Sequence, residues 1–303
     1  MQPNYLSQPQ AYQTWRAFKL SNYPKEVGLL IVNINNPIKI LDEECNLLLK
    51  ICAKTNIVIY RTNNDQTDVK RSISALTQQL GLKELDANIC ADEDRISTIQ
   101  DLGSDRASYI PYTNKPLNWH TDGYYNGDTQ RIRAFLMHCV RPAESGGENA
   151  YLDPEIAYIL LRDENPNYID ALMDASVMTI PANEQAGRQI RAAQTGPVFF
   201  VDEESQSISM RYTARKRSII WKNDKTVEHA LAFLHEILQG NPYLFRYRLS
   251  AGEGVISNNV LHNRSAITDS SSADEKRLLY RARFYNRVKK CDEEQDLQDV
   301  VNQ

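Results

Sequence analysis

The sequence predicts a mainly β fold with α-helical insertions. From about residue 106 onward, β-branched and aromatic residues recur in short segments separated by turn residues. Many short strands of this kind are typical of a sandwich or a jelly roll rather than of a parallel sheet. Apolar residues at helical spacing interrupt them at 154–174 and 225–238, which indicates insertions into a β framework. The strand-like segments are 107–113, 131–140, 146–153, 196–202, 207–213, 217–222, 244–250, 254–260 and 277–285.

The first hundred residues alternate between predicted strands and helices. The first predicted helix begins with acidic residues, which suit a helix N-terminus. The second has Thr67 or Asp68 as its cap and ends at Gly81. The predicted elements are a buried strand at 27–34, a helix at 41–55, a strand at 56–62 and a helix at 67–81.

Length and composition fit a globular protein. The chain has 303 residues, enough to bury a core, and 42% of them are hydrophobic. Because there is no internal repeat or low-complexity linker, we predict a single domain over 1–303. In it an N-terminal α/β portion (about 1–105) packs on the β core (about 106–290). The acidic segment 291–303 is expected to form a peripheral helix or a frayed tail.

Charge and hydropathy disfavour several function classes. The formal net charge is −4, so the basic footprint of a nucleic-acid binder is missing. No apolar run approaches the roughly 20 residues of a membrane helix. The N-terminus lacks the basic-then-apolar pattern of a signal peptide. We therefore expect a cytoplasmic protein with no nucleic-acid or membrane partner; the sequence does not specify an oligomeric state.

The cysteines form no pattern of a disulfide framework or a zinc ribbon. They are scattered, odd in number and contain no C-x-x-C pair. We expect each to be a small buried residue or a free thiol. They are Cys45, Cys52, Cys90, Cys139 and Cys291.

The stretch "NWHTDGYYN" (118–126) is the first candidate for chemistry. One interpretation is a surface turn, since Asn, Asp and Gly are ordinary turn residues. The other is a metal site, because in an extended segment His120 and Asp122 point the same way while Thr121 points away. Two ligands at this spacing occur by chance in many proteins, so a third ligand is needed to decide.

Among the other histidines, His262 is the best candidate for that third ligand. It follows a Gly-Glu-Gly turn, an apolar strand and two asparagines, so the strand would deliver it at its end. Two imidazoles and one carboxylate can cap one face of an octahedral ion and leave positions open, as in non-haem Fe(II) oxygenases. We interpret the remaining histidines as sheet, surface or cap residues: His138, His229 and His235.

An arginine-rich strand follows His262. Within "KRLLYRARFYNR", Arg277, Arg281 and Arg283 share one face of a strand. A solvated polar face is one interpretation. The other is recognition of a carboxylate, which the planar guanidinium fork grips with two hydrogen bonds. Arg277 and Arg281 lie about 13 Å apart in an extended strand, so they would hold different groups.

These motifs together resemble the taurine dioxygenase and clavaminate synthase-like branch of the Fe(II)/2-oxoglutarate-dependent oxygenases. The resemblance rests on "WHTD", on "RPAESGGENAYLD" after it, on "GEGVISNNVLH" and on "KRLLYRAR". Each motif alone has low specificity, but the ordered set over about 106–285 is highly specific. The N-terminal hundred residues add only a compatible pattern of helices and strands.

The resemblance implies a double-stranded β-helix, or jelly-roll core, in a single catalytic domain. It implies Fe(II), with 2-oxoglutarate and O2 as cosubstrates. The implied reaction oxidises an unactivated carbon of a small molecule and releases succinate and CO2. His120, Asp122 and His262 match the iron ligands. Arg277 matches the arginine that binds the distal carboxylate of 2-oxoglutarate.

Further residues match the cosubstrate and substrate sites. Arg281 matches the arginine beside the proximal end of 2-oxoglutarate and the substrate. Asn149 stands where the family often has a threonine that contacts the cosubstrate, and an amide can donate the same hydrogen bond. We expect a small polar substrate with a carboxylate or a sulfonate.

Four residues are candidates for contact with that substrate. Tyr124 and Tyr125 follow the metal motif and could line the mouth of the site, although sheet packing explains them equally well. Arg211 and Arg215 lie in a basic and aromatic segment, for which surface charge is the alternative.

Two other functions use the same residues. A metal-dependent hydrolase or isomerase on a similar barrel would use the triad with zinc or manganese and would not need Arg277. A binding protein that retains the pocket without turnover would belong to a third class. The complete ligand set and the arginine favour the oxygenase.

Overall fold

The computed structural model describes residues 8–63, 68–87, 92, 94–101, 110–185, 188–215 and 217–289. Six α-helices lie within these ranges: α1 (Pro9–Leu20), α2 (Asp42–Thr55), α3 (Val69–Gln79), α4 (Pro154–Glu164), α5 (Pro166–Leu172) and α6 (Lys225–Gln239). The strands there are β1 (Ile31–Asn33), β2 (Ile57–Arg61), β3 (Ser97–Ile99), β4 (Leu117–His120), β5 (Ala134–Arg141), β6 (Ser145–Gly146), β7 (Asn149–Leu152), β8 (Met178–Ile180), β9 (Asn183–Gln185), β10 (Arg188–Arg191), β11 (Gln194–Gly196), β12 (Phe199–Val201), β13 (Ile208–Met210), β14 (Ile220–Trp221), β15 (Phe245–Tyr247), β16 (Glu253–Ser257), β17 (Leu261–Arg264), β18 (Ile267–Thr268) and β19 (Leu278–Phe284).

A six-stranded sheet is the largest element of the fold. Its strand order is β1-β2-β16-β5-β19-β3. The β1–β2 pair is parallel and every other pair in the sheet is antiparallel. Strands β1, β2 and β3 come from the first hundred residues, so the N-terminal portion and the later β region share one sheet.

A four-stranded sheet carries the histidine motifs. Its order is β15-β7-β17-β4, and the described pairs are antiparallel. In the pairing of β17 with β4, His262 lies directly opposite His120. Four smaller groups of short strands complete the β structure of the described residues: the triplet β11-β8-β14 and the pairs β12-β13, β10-β9 and β18-β6.

The alternation of side chains along the large sheet supplies two hydrophobic cores. Phe135, Val255 and Leu279 point into a core shared with the four-stranded sheet and with α4 to α6. Leu136 and Ile256, one position along, point into a second core covered by α2 and α3. The sheet is therefore buried on both faces, which explains its nearly continuous apolar runs.

The helix predictions are confirmed in position, with one break. Helix α2 matches the prediction for 41–55, and α3 begins after Asp68, whose carboxylate accepts the Arg71 N–H at 3.0 Å. Thr67 lies outside the described residues. The predicted helix at 154–174 is two helices, because Pro166 disfavours helical backbone at Asn165, which is extended (φ −158°).

Most strand predictions are confirmed, and the overall class is mostly sheet with helices. The prediction for 27–34 is confirmed only in part: the segment begins as a 3-10 turn at Val27–Leu30, with Leu29 63% exposed, and forms a strand from Ile31 onward. The prediction for 107–113 is not confirmed in its described part, which contains a 3-10 turn at Ile110–Tyr112. Each of the other nine predicted segments contains a strand.

Further expectations concern the C-terminal segment, the cysteines and membrane-spanning helices. The segment 291–303 lies outside the described residues, as do Cys90 and Cys291. Cys52 and Cys139 are buried free thiols, as expected, and Cys45 is half-buried. None of the helices that the structure describes is long and apolar enough to cross a membrane.

Candidate metal centre and active site

Two histidines face each other on neighbouring strands. His120 is the last residue of β4, and β17 pairs with that strand so that His262 lies opposite it. The centroids of the two imidazole rings are 4.3 Å apart. Both side chains are buried. The pairing of the two strands therefore brings together residues that are 142 positions apart in the sequence.

Asp122 completes the group from the turn that follows β4. Its Oδ1 lies 3.8 Å from His120 Nε2, and one donor atom from each of the three residues falls within 4.8 Å of the others. We expected an extended segment here, but Asp122 lies in a turn. Gly123 makes that turn possible, because its φ is +66° and a Cβ there would lie 2.4 Å from Ile132 Cγ1.

The histidine tautomers are set by backbone carbonyls. The Nδ1 atoms of His120 and His262 lie 2.9 Å from the carbonyl oxygens of Asn118 and Val260. A carbonyl only accepts, so each Nδ1 carries the proton and each Nε2 keeps a free lone pair. Burial and the neighbouring His262 lower the pKa of His120 to about 3, and burial lowers the pKa of His262. Both rings are therefore neutral at pH 7, as metal ligands must be.

The carboxylate of Asp122 stays ionised. Burial alone would raise its pKa, but the guanidinium groups of Arg281 and Arg283 hold the pKa below its ordinary value. Its Oδ2 is buried and has no hydrogen-bond partner among the residues that the structure describes. An orphaned carboxylate oxygen beside two free imidazole lone pairs fits a divalent metal ion. No other group of three His, Cys, Asp or Glu in the described ranges has this geometry.

Asn259 is a site residue that the sequence did not indicate. Its amide accepts the Asp122 N–H at 2.8 Å and donates to the Asp122 carbonyl at 3.0 Å. It also donates to the Ile132 carbonyl at 2.7 Å. Asn259 is buried and has a φ of +55°. It holds the backbone of Asp122 much as a neighbouring strand would. The only sequence signal was the pair of asparagines before the histidine.

A pocket opens beside His262, and the predicted cosubstrate residues line it. Arg277, Arg281 and Asn149 contribute polar groups, and Phe135 contributes an apolar wall. Arg264 also lines the pocket, but its guanidinium donates to the carbonyls of three residues that precede β4: Pro111, Thr113 and Lys115. Arg264 thus ties that segment to β17.

Arg277 offers an available guanidinium at the pocket. The side chain is buried, and its backbone N–H donates to Asp269 at 2.7 Å. No described carboxylate lies at ion-pair distance from the guanidinium. Burial lowers its pKa, yet an arginine stays protonated at pH 7. A buried unpaired cation of this kind is suited to an anionic ligand.

The other two predicted cosubstrate residues are partly engaged within the protein. Arg281 Nη1 lies 3.4 Å from Asp122 Oδ1, and its Nε is buried without a partner among the described residues. The Asn149 amide donates to the Asn263 carbonyl at 2.7 Å, which fastens β7 to β17. Both side chains face the same pocket as Arg277.

Of the two predicted tyrosines, Tyr124 contacts His120, and Tyr125 packs against Tyr124. The Tyr124 ring meets the His120 ring edge-on, with 6.4 Å between centroids, and packs edge-on against Tyr125 at 5.2 Å. The Tyr125 hydroxyl accepts from Arg283 at 3.0 Å. Arg283 is buried and pairs with Asp86, which fixes the guanidinium that binds the Tyr125 hydroxyl. The role of both tyrosines at the mouth of the site stays a prediction.

Arg211 and Arg215 differ in their surroundings. Arg211 is buried, and its guanidinium donates to four backbone carbonyls: those of Tyr124, Met178, Gln194 and Gly196. It therefore joins the metal-motif turn to β8 and β11. Arg215 is exposed and donates to the Tyr124 hydroxyl at 2.9 Å.

The family of the chain follows from comparison with known proteins. The model of the taurine catabolism dioxygenase TauD, TfdA family matches residues 33–283. A curated uridine-5'-phosphate dioxygenase of Streptomyces sp is 27% identical over 234 residues, which are 73% of this chain and 81% of that protein. Another, of Amycolatopsis sp, is 28% identical over 176 residues, 55% of this chain. That match spans 60% of the Amycolatopsis protein, less than two thirds of its length.

A solved structure supports the fold. Asparagine oxygenase in complex with Fe(II), 3-hydroxyasparagine and succinate aligns with a TM-score of 0.57 over 84% of this chain and 93% of that one, at 12% identity. The expected oxygenase is confirmed, and the alternatives of a non-oxidative metalloenzyme and a silent binding protein are set aside. The chain belongs to the taurine catabolism dioxygenase TauD, TfdA family and is an Fe(II)/2-oxoglutarate-dependent dioxygenase that uses O2.

Proposed function

We propose that this enzyme oxidises an unactivated carbon of a small anionic substrate at Fe(II) held by His120, Asp122 and His262. The observation that carries the assignment is the convergence of three donor atoms within 4.8 Å beside a pocket that contains the unpaired guanidinium of Arg277. When bound, Fe(II) and 2-oxoglutarate supply the oxidising chemistry, consuming O2 and releasing succinate and CO2.

The residues of the chain orient the reactants. Arg277 would grip the distal carboxylate of 2-oxoglutarate with two parallel hydrogen bonds. Asn149 lies on the same wall and would contribute its amide oxygen or its remaining N–H. Arg281 keeps Asp122 ionised and lies where the proximal end of the cosubstrate and the substrate would meet. The apolar wall at Phe135 limits the access of water to this region.

A phosphate-bearing substrate is the first to test. Two curated relatives are named uridine-5'-phosphate dioxygenase, which supports a nucleoside 5'-phosphate. Arginines surround the site although the chain as a whole carries a net charge of −4. This extends the expected carboxylate or sulfonate to a phosphate monoester, since all three are anions that an arginine fork recognises. Of the substrate-site candidates, we assign Tyr124, Tyr125 and Arg215 to the mouth and Arg211 to its support.

The fold proposal follows from the two main sheets. We propose that the six-stranded and four-stranded sheets form a double-stranded β-helix, which is supported by their shared core. The strands that 1–105 adds to the large sheet support a single catalytic domain over 1–303. A cytoplasmic location without a nucleic-acid partner remains our proposal.

Anaerobic titration of Fe(II) and 2-oxoglutarate, followed by visible absorption, tests the function. Chelation of iron by the keto acid gives a weak charge-transfer band. Replacing Arg277 with Met removes two charge-assisted hydrogen bonds, so we expect about 100-fold weaker binding of 2-oxoglutarate. Arg246→Met, on the exposed side of β15, is the matched control and should titrate like the wild type. No band in a protein that binds iron would overturn the proposal.

A further inference from the structure

Two arginines flank the tyrosine pair at the mouth of the site. Arg215 donates to the Tyr124 hydroxyl at 2.9 Å. Arg191, at the end of β10, reaches the Tyr125 carbonyl at 3.5 Å, and its guanidinium carbon lies 5.9 Å from the centre of the Tyr125 ring. The Tyr124 ring in turn meets the His120 ring. Arg215 is thus separated from His120 by the Tyr124 ring, and Arg191 by the Tyr125 and Tyr124 rings.

These two charges are not neutralised by carboxylates. Nearby arginines have acidic partners: Arg131 pairs with Asp128 at 2.6 Å and Arg133 with Asp202 at 2.8 Å. Among the residues that the structure describes, neither Arg191 nor Arg215 has a carboxylate within ion-pair distance.

The two arginines contact neighbouring tyrosines, whose ring centroids are 5.2 Å apart. Burial lowers the pKa of Arg191, and the positive charge of Arg215 lowers it further, against the opposite effect of the two tyrosines. Two like charges held together without an anion between them disfavour the folded protein, so a bound anion would stabilise the arrangement.

The available hydrogen-bond donors match a phosphate. Arg215 uses one of its five N–H donors within the protein, on Tyr124. Arg191 is anchored on the carbonyls of Pro181 and Ala192, at 2.6 and 2.8 Å, which fixes its plane and leaves donors free. Arg211 differs, because backbone carbonyls occupy its guanidinium on every side. Of these three arginines, only Arg191 and Arg215 have N–H donors left to bind an external anion.

We propose that Arg191 and Arg215, with the Tyr124 hydroxyl, bind the phosphate monoester of the substrate, an inference that rests on the proposed function. A phosphate dianion accepts the forked donors of two guanidinium groups at once, whereas a neutral nucleoside leaves both unsatisfied. This site decides between phosphorylated and unphosphorylated substrates. The proposed phosphate site is distinct from Arg277, which serves the cosubstrate. The Tyr124 ring, which lies between Arg215 and His120, sets the distance from the phosphate to the metal.

The test compares uridine 5'-phosphate, uridine and inorganic phosphate as probes. Each is titrated calorimetrically, without O2, into the complex with Fe(II) and 2-oxoglutarate. The wild type should bind uridine 5'-phosphate, or inorganic phosphate itself, at least about 10-fold more tightly than uridine. The double variant Arg191→Gln/Arg215→Gln should lose about 100-fold in affinity for the phosphate-bearing probe and nothing for uridine.

Controls separate this proposal from the function and from folding. Arg217→Gln removes an exposed arginine of the same segment and should bind like the wild type. Arg215→Lys should recover part of the lost affinity, since the charge returns without the fork. A wild type that binds no phosphate probe more tightly than uridine, or a double variant that keeps the preference, overturns the proposal. Absence of the visible band from the wild-type protein with Fe(II) and 2-oxoglutarate would instead overturn the proposed function.

Discussion

The molecule contains two buried polar clusters that differ in how their charges are satisfied. In one, Lys19 pairs with Asp153 at 2.7 Å and with Glu155, and donates to the Lys54 carbonyl at 2.8 Å. Asn56 donates to the other oxygen of Asp153 at 3.0 Å, which also accepts the Glu155 N–H at 2.9 Å. Each polar group there has a partner inside the protein, so the cluster holds α1, the start of α4 and β2 together.

The other cluster is the proposed metal centre, where partners are missing. Asp122 Oδ2 and Arg281 Nε are buried without hydrogen bonds among the described residues, and the Arg277 guanidinium forms no ion pair with a described carboxylate. Burying an unsatisfied polar group costs about 1–3 kcal/mol, and charged groups cost more. The satisfied cluster therefore stabilises the fold, whereas the unsatisfied one marks where ligands bind.

The largest expected effect comes from the unsatisfied cluster. Asp122→Ala should lower 2-oxoglutarate turnover by on the order of 1,000-fold, because loss of the anionic ligand removes several kcal/mol of transition-state stabilisation. Succinate formation and bound iron measure it. Circular dichroism should be unchanged, since the carboxylate makes only a long 3.4 Å contact with Arg281. Turnover near the wild-type rate would show that Asp122 is not a ligand.

For the satisfied cluster we expect a loss of stability rather than a loss of turnover. Lys19→Met leaves Asp153 and Glu155 buried together without a cation, which should lower the free energy of unfolding by about 3–5 kcal/mol. Urea denaturation measures the loss, with Lys50→Met on the exposed face of α2 as the control. Turnover per folded molecule should stay at the wild-type value. A Lys19→Met protein as stable as the control would contradict the structural role.

A third buried polar group, His138 paired with Tyr60, should make the stability of the protein depend on pH. Burial lowers the pKa of His138 to about 4, from about 6.5 in an unfolded chain. Below pH 6.5 the unfolded state binds a proton that the folded state refuses, so stability falls as the pH drops from 6.5 to 4. This group alone should account for about 2–3 kcal/mol between pH 7 and 4.5.

The matched variant isolates that contribution. His138→Gln cannot titrate, but it retains an acceptor for the Tyr60 hydroxyl, which lies 2.9 Å from His138 Nδ1. Urea unfolding at pH 7 and pH 4.5 should give a smaller loss for His138→Gln than for the wild type. Equal losses in the two proteins would mean that His138 is not buried in its neutral form.

The smallest expected effect concerns the support of Asp122. Asn259→Gly keeps a backbone that tolerates the φ of +55° and removes only the amide that holds Asp122. Groups that orient a metal ligand are worth about 10–100-fold in metal affinity, so Fe(II) binding should weaken by that factor. Asn263→Gly, in β17, is the control for replacing a nearby asparagine with glycine. Unchanged iron affinity in Asn259→Gly would reduce Asn259 to a purely structural role.

The sequence predicted the functional groups better than it predicted their support. The H-x-D pair, His262 and the arginines are short motifs whose chemistry is visible in the residue types. Asn259 and Arg191 act only because distant segments meet: the amide of Asn259 reaches Asp122 across 137 positions. No local pattern encodes such a contact.

The fold shows the same division between local and distant causes. The helices at 41–55 and 225–238 follow from local spacing, and their ends were close to correct. The first half of 27–34 is a 3-10 turn rather than a strand, because an apolar run does not distinguish a strand from a turn that packs against one. The break within 154–174 also has a local cause, since Pro166 disfavours helical backbone at Asn165.

A crystal structure of the protein with 2-oxoglutarate and Mn(II), as a redox-inert substitute for Fe(II), tests the central claim most directly. We predict the metal on His120 Nε2, His262 Nε2 and an oxygen of Asp122, with the distal carboxylate of 2-oxoglutarate in the fork of Arg277. The unsatisfied atoms would then all have partners. Metal bound at another place, or 2-oxoglutarate bound without contact to Arg277, would contradict the account.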